Sequence, residues 1–131
     1  MSQENVEIVR RNLESFENDT ETWLGTLDSA VRWYPLEERH TLVLGHEAAL
    51  RTRESWLEAW DKDSYSWEIE ELRENGEDVV SAVRVSSRGR RSGVGVDSHA
   101  WAHWKLRNGK IVHVYEYATR KEALKAAGLR E

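Results

Sequence analysis

The sequence contains no cysteine and only one proline, one methionine and one phenylalanine. The lack of cysteine excludes disulfides, a thiolate nucleophile and a cysteine metal site, so stability has no redox dependence. No stretch approaches the roughly 20 apolar residues needed to span a bilayer. The segment from Met1 to Asn5 has neither the basic nor the apolar region of a secretory leader, so a cytoplasmic location is the default expectation. An excess of basic charge is missing too. The 24 acidic and 19 basic residues give a formal charge of -5, which opposes attraction to nucleic acid or to anionic membranes. The short run of Arg88, Arg90 and Arg91 has no interleaved aromatics and reads as a solvated hairpin. A glycine-rich phosphate loop, an HExxH metal motif and a local Ser, His and acid triad are all absent.

What is present is aromatic. Seven tryptophans in 131 residues must fill a core, line a pocket or cover an interface, because rings of that size are costly to leave in water. The length suits one domain, residues 1-131, with neither linker nor internal repeat.

Val6, Val9, Leu13 and Phe16 recur at helical spacing and predict a helix over about 3–17, and Trp23, Leu24 and Leu27 predict a shorter second one. Val31 to Tyr34 fit a strand ended by Pro35, and Glu37, Glu38, Arg39 and His40 form a loop tip that is a candidate cavity mouth. Ala49, Arg53, Trp56 and Trp60 share one side of a third helix. Asn75-Gly76 and Asn108-Gly109 mark hairpins between strands, with another turn near Arg88. The alternation from Tyr65 slips near Glu71, whereas from Val94 to Leu106 it holds throughout. Thr119 to Glu122 is a capping box and Gly128 a stop signal for a final helix. Consecutive hairpins favour an antiparallel sheet in an α+β fold.

Four stretches together resemble the nuclear transport factor 2-like superfamily, in particular its SnoaL-like group, which includes polyketide cyclases. They are MSQENVEIVRRNLESFEND, GHEAALRTRESWLEAW, WKLRNGKI and RKEALKAAGL. The resemblance implies a cone-like α+β barrel, with N-terminal helices packed on a strongly curved, mainly antiparallel sheet around a hydrophobic cavity. It also implies a small hydrophobic ligand and a homodimer through the outer sheet face. Relative to steroid isomerases of this fold, Trp33 stands where the carboxylate base would be, Ala102 near the acidic donor, and Asn12 or Leu13 near the Tyr donor. None of these side chains can take the corresponding role. Many SnoaL-like relatives carry a polar group near Ala102, where this chain has a methyl.

The catalytic residues are accordingly unknown, and whether the protein is an enzyme is open. Three classes remain: a small-molecule-binding domain, an isomerase, cyclase or hydrolase working by general acid/base catalysis on a polyketide-like or steroid-like substrate, and a structural or protein-interaction module. The candidate pocket residues are Trp33, Trp56, Trp60 and Trp104, whose alternative role is core packing, together with Tyr115 and Tyr117, whose alternative is a structural or interface role. If Ala102 and Trp104 face the cavity, His99 and His103 face outward. Residues four apart on a strand are roughly 13 Å apart, so these two histidines and His113 are not expected to share a metal. No cofactor is expected.

Overall fold

The computed structural model describes residues 2–36 and 41–130. The predicted loop tip of Glu37, Glu38, Arg39 and His40 lies outside the described residues. The first helix, α1 (Ser2–Ser15), presents Val6, Val9 and Leu13 to the core. Asp19 then accepts a hydrogen bond from the Thr22 amide and starts α2 (Thr20–Thr26). The chain passes directly into β1 (Leu27–Tyr34), continues through a two-residue strand β2 (Val43–Leu44), and enters α3 (Gly45–Glu58). Four strands follow: β3 (Ser66–Asn75), β4 (Asp78–Arg88), β5 (Gly95–Arg107) and β6 (Lys110–Tyr117). The last element is α4 (Arg120–Ala126), capped as expected by Thr119, which accepts from the Glu122 amide and donates to its carboxylate.

The strands form one sheet in the order β2-β1-β6-β5-β4-β3. Four of the five pairings are antiparallel, but β1 runs parallel to β6, so the sheet is mixed. The expected cone-like, strongly curved barrel does not form. The sheet ends in two edges, β2 and β3, and it is neither closed nor strongly curved. Closure requires the edge strands to pair along their length, and β2 offers only two residues for this.

Two bulges decide which side chains face which way. Because side chains alternate along a strand, one inserted residue moves everything beyond it to the opposite face. In β3 the register shifts between Ile69 and Glu71, so Glu70 is the extra residue and Leu72 returns to the core side. This accounts for the slip in the alternation. In β6 the Asn108-Gly109 turn sets Leu106 opposite Ile111, but Lys105 pairs with His113, so Val112 is inserted. Both turn residues have positive φ (53° and 77°), as a tight two-residue hairpin requires.

One face of the sheet is covered by α1, α2 and α3. Its core contains Val9, Trp23, Ala49, Ala102, Trp104, Leu106, Ile111 and Val114. The opposite face carries α4, whose Ala123 and Leu124 pack with Val80, Trp101 and Tyr117. The helices cover only part of β5. Ala102, Trp104 and Leu106 are buried, whereas Val96, Ser98 and Ala100, on the same side of the strand, are exposed.

Candidate functional site

Edge-to-face and tilted ring contacts run through the helix-covered side of the fold. Trp33 on β1 meets Trp23 on α2, with ring centroids 6.3 Å apart. Trp23 meets Phe16 at 5.8 Å, and Phe16 meets Trp56 on α3 at 5.9 Å. Trp56 then contacts Trp60 at 5.6 Å and Tyr65 at 5.5 Å. Such offset and perpendicular geometries satisfy the ring quadrupoles while burying large apolar area. The seam is continuous because Trp56 on α3 and Trp60 just beyond its end follow one another beside the end of α1.

Polar groups punctuate this seam at defined places. At one end the Trp33 indole donates to Glu116 Oε2 at 2.8 Å, while the Leu36 amide donates to Oε1 at 3.1 Å. Glu116 is half-buried and pairs in register with Ala102. The carboxylate therefore lies across the strand pair from a methyl, where the covered part of β5 gives way to the exposed part. Deeper in the core, Trp104 donates to the Ser81 hydroxyl at 2.8 Å. The Asn12 amide donates to Thr26 Oγ1 at 2.8 Å, and both of these residues are buried. Midway along the seam, the Arg53 guanidinium lies over the Phe16 and Trp23 rings and donates through Nε to the Phe16 carbonyl at 2.5 Å. Burial lowers its pKa, with a partial offset from Glu54.

At the other end a cleft of about 210 Å³ is lined by Glu17, Leu57, Glu58, Trp60, Lys62, Tyr65 and Arg90. Burial, assisted by the charge of Glu17, pushes the Tyr65 phenol well above its usual range, so this hydroxyl stays protonated. A second cleft of about 270 Å³, at the open end of β4 and β5, is lined by Ser64, Ser86, Ser87, Arg88, Gly95, Val96 and Asp97.

The six sequence-predicted pocket residues divide. Trp33, Trp56 and Trp60 belong to the seam, Trp104 to the core beside it, and of the six only Trp60 lines either cleft. Tyr115 and Tyr117 lie on the opposite face, in register with His103 and Trp101. The Val112 bulge is the reason: without it, the hairpin register would bring Tyr115 to Ala102. Tyr115 packs against Tyr34 and Tyr117 at 5.2 and 4.7 Å, and Tyr117 supports α4.

His99 and His103 also lie on that face, as the alternation of β5 implied. His103 bonds Asp78 at 2.6 Å and His99 meets Glu70 at 3.0 Å. No group of three or more metal-ligating side chains is found among the described residues. Arg84 and Asp97 pair at 2.8 Å on this face, whereas Glu116 is on the other side of the sheet. Glu116 and Arg53 are the functional candidates that residue pattern alone missed. A clue existed for the first, since Glu116 shares its alternation phase with Val112 and Val114.

The fold is shared with several solved structures. The putative SnoaL-like polyketide cyclase from Jannaschia sp. CCS1 is 19% identical, with a TM-score of 0.78 over 97% of this chain and 92% of that one. A putative polyketide cyclase from Xanthomonas campestris pv. campestris is 19% identical, with a TM-score of 0.74 over 92% and 94%. TerC, co-crystallised with polyporic acid, is 18% identical, with a TM-score of 0.75 over 95% and 97%. At these identities the likeness concerns the fold. No curated protein matches the sequence. The family model for the SnoaL-like domain matches residues 9–114, most of the chain and all the elements that build the seam, and the protein belongs to that family, within the nuclear transport factor 2-like group.

Proposed function

We propose that the protein binds a small, flat, largely apolar molecule along the aromatic seam. The observation that carries this reading is the unbroken series of ring contacts from Trp60 to Trp33, with a cleft at the first end and a fixed carboxylate at the second. Aromatic walls with a few placed polar groups suit a ring-containing ligand, since they bury its faces and orient it by hydrogen bonds. In this reading a ligand hydroxyl donates to Glu116, whose carboxylate offers about four acceptor sites. The polyporic acid in the TerC crystal, a ligand on a related fold, agrees with this class.

Titration with 2-naphthol, followed by quenching of tryptophan fluorescence, tests the reading. Binding weakened at least tenfold by Trp60→Leu, at the cleft end, or by Glu116→Ala, at the carboxylate end, is the expected result. Saturable binding unaffected by both substitutions, or none at all, rejects it.

Glu116 also supports a second reading, general acid/base chemistry on a polyketide-like or steroid-like substrate. Two N–H donors hold its carboxylate in one orientation, as proton transfer requires, although hydrogen bonding to the charged form makes it a weaker base. Glu116→Gln keeps the shape and removes the proton acceptor. Exchange of an acidic C–H of a bound cyclic 1,3-diketone, followed by NMR in deuterated water, must fall to the uncatalysed rate in that variant if the reading holds.

A homodimer through the face opposite α1–α3 completes the proposal. Its exposed part surrounds Arg32, Tyr34, His113 and Tyr115, because α4 already covers Trp101 and Tyr117. Sedimentation at micromolar concentration checks it, with a single species of twice the 15.3 kDa chain mass expected.

A further inference from the structure

Arg53 is the only charged residue buried among the described ones, with 5% of its surface exposed. No described carboxylate lies within ion-pair distance of it, whereas the eight ion pairs found all involve other side chains. Its one hydrogen bond to a described residue uses Nε, one of five N–H donors on the guanidinium fork. The Phe16 and Trp23 rings, 5.7 and 5.5 Å from the guanidinium carbon, attract the cation through their faces but offer no acceptor to the remaining N–H groups. Capping the carbonyl end of α1 explains the Nε bond, because helix C-termini favour cations. That role leaves both Nη groups without a hydrogen-bond partner among the described residues, yet neither is sealed from solvent, since the described side-chain atoms that are both buried and unpaired are Trp60 Nε1 and Ser87 Oγ.

The surroundings point to what completes this site. A buried cation is stable only when paired and hydrogen-bonded. Arg53 stands one helical turn before Leu57, and the carbonyl that holds it precedes Glu17, both of which line the 210 Å³ cleft. We infer that Arg53 receives the carboxylate of a flat aromatic acid whose ring lies in that adjoining cleft, against Trp60. This rests on the ligand-binding reading above and names the ligand class within it. A guanidinium fork matches a planar carboxylate through two parallel hydrogen bonds. A monoanion is favoured over a dianion such as phosphate, because Glu17 and Glu58 flank the cleft and offset the charges of Lys62 and Arg90.

Calorimetric titration of the intact protein with 2-naphthoate and with its neutral counterpart 2-naphthamide provides the test. The acid is expected to bind at least about tenfold more tightly than the amide, in keeping with a charge-assisted pair. Arg53→Met should abolish that preference and Arg53→Lys should retain part of it. A melting curve reports whether each variant folds, while the acid and amide comparison on the unaltered chain needs no variant. Equal affinity for acid and amide overturns the role of Arg53 and leaves the aromatic site standing. Binding of neither removes the ligand-binding reading, and this inference with it.

Discussion

The two faces of the sheet solve the problem of polar groups in opposite ways. On the face under α1–α3, most polar side chains are paired singly through neutral hydrogen bonds or by one N–H to a carboxylate: Asn12 with Thr26, Trp104 with Ser81, Trp33 with Glu116. On the other face they form rows of charged and imidazole groups: Arg84 with Asp97, His99 with Glu70, His103 and Lys105 with Asp78, Arg120 with Glu71. Buried pairs lock one arrangement because a broken bond leaves an unsatisfied group. Exposed ion pairs respond to salt and pH and contribute little to stability. The covered face is therefore the more rigid of the two, and the other the more responsive to salt and pH.

The largest separation between the faces is expected on truncating Ile111, which is completely buried. Ile111→Ala should cost about 2–5 kcal/mol in urea unfolding, from lost burial and the cavity left behind. Arg84→Ala, which breaks an exposed pair, should leave the unfolding midpoint unchanged within error. A comparable loss from both would remove the distinction. Trp104→Phe sharpens it by keeping an aromatic side chain while deleting the N–H that Ser81 accepts and part of the indole's volume. The expected cost is about 1–3 kcal/mol, since the buried hydroxyl loses its donor.

How much of this was readable in advance follows from the same geometry. Helices and hairpins were legible because caps, Asn-Gly turns and apolar periodicity are local. Thr119 with Glu122 and Asn108 with Gly109 each act within a few residues of chain. The outward direction of His99 and His103 was legible because β5 alternates without interruption until Lys105. The face on which Tyr115 and Tyr117 lie was not legible, because a single inserted residue, Val112, has no composition signal. Arg53 looked like one more position on a helical face, because its isolation from carboxylates depends on three helices meeting. The parallel pairing of β1 with β6 joins segments some 80 residues apart, and the open edges follow from strand lengths that hydrophobic patterning does not specify.

A smaller effect is expected on the ionic face at α4. Arg120 donates to both oxygens of Glu71 at 2.9 and 3.0 Å, and these bonds hold the Glu71 carboxyl below its ordinary pKa. Glu71→Gln should therefore speed amide exchange within α4 while leaving β5 and β6 protected, at a cost of roughly 1 kcal/mol or less. The pair's contribution is present above the ordinary Glu range and is lost as pH falls through the lowered folded value. Unchanged exchange in α4 would show that Ala123 and Leu124 hold the helix by packing alone.

The finest test of the contrast is His113, a titrating group in the middle of the ionic face. Burial lowers its pKa, and the positive groups around it, His103, Arg32 and Lys105, lower it further against a partial offset from Asp78. The Tyr34 and Tyr115 rings flank it at 5.4 and 6.4 Å. A histidine with a depressed folded pKa binds its proton more readily when unfolded. Its contribution to stability is thus intact above the ordinary value of 6.5 and is lost as pH falls from there toward the folded value. NMR titration of the imidazole should give a midpoint below 6.5, and His113→Gln should flatten the fall in unfolding free energy across that window. If a second copy covers this face, desolvation deepens and the midpoint drops further as protein concentration rises. A midpoint at or above 6.5 at every concentration would mean that Asp78 dominates the site, and the ionic face would then gain, rather than lose, cohesion on mild acidification.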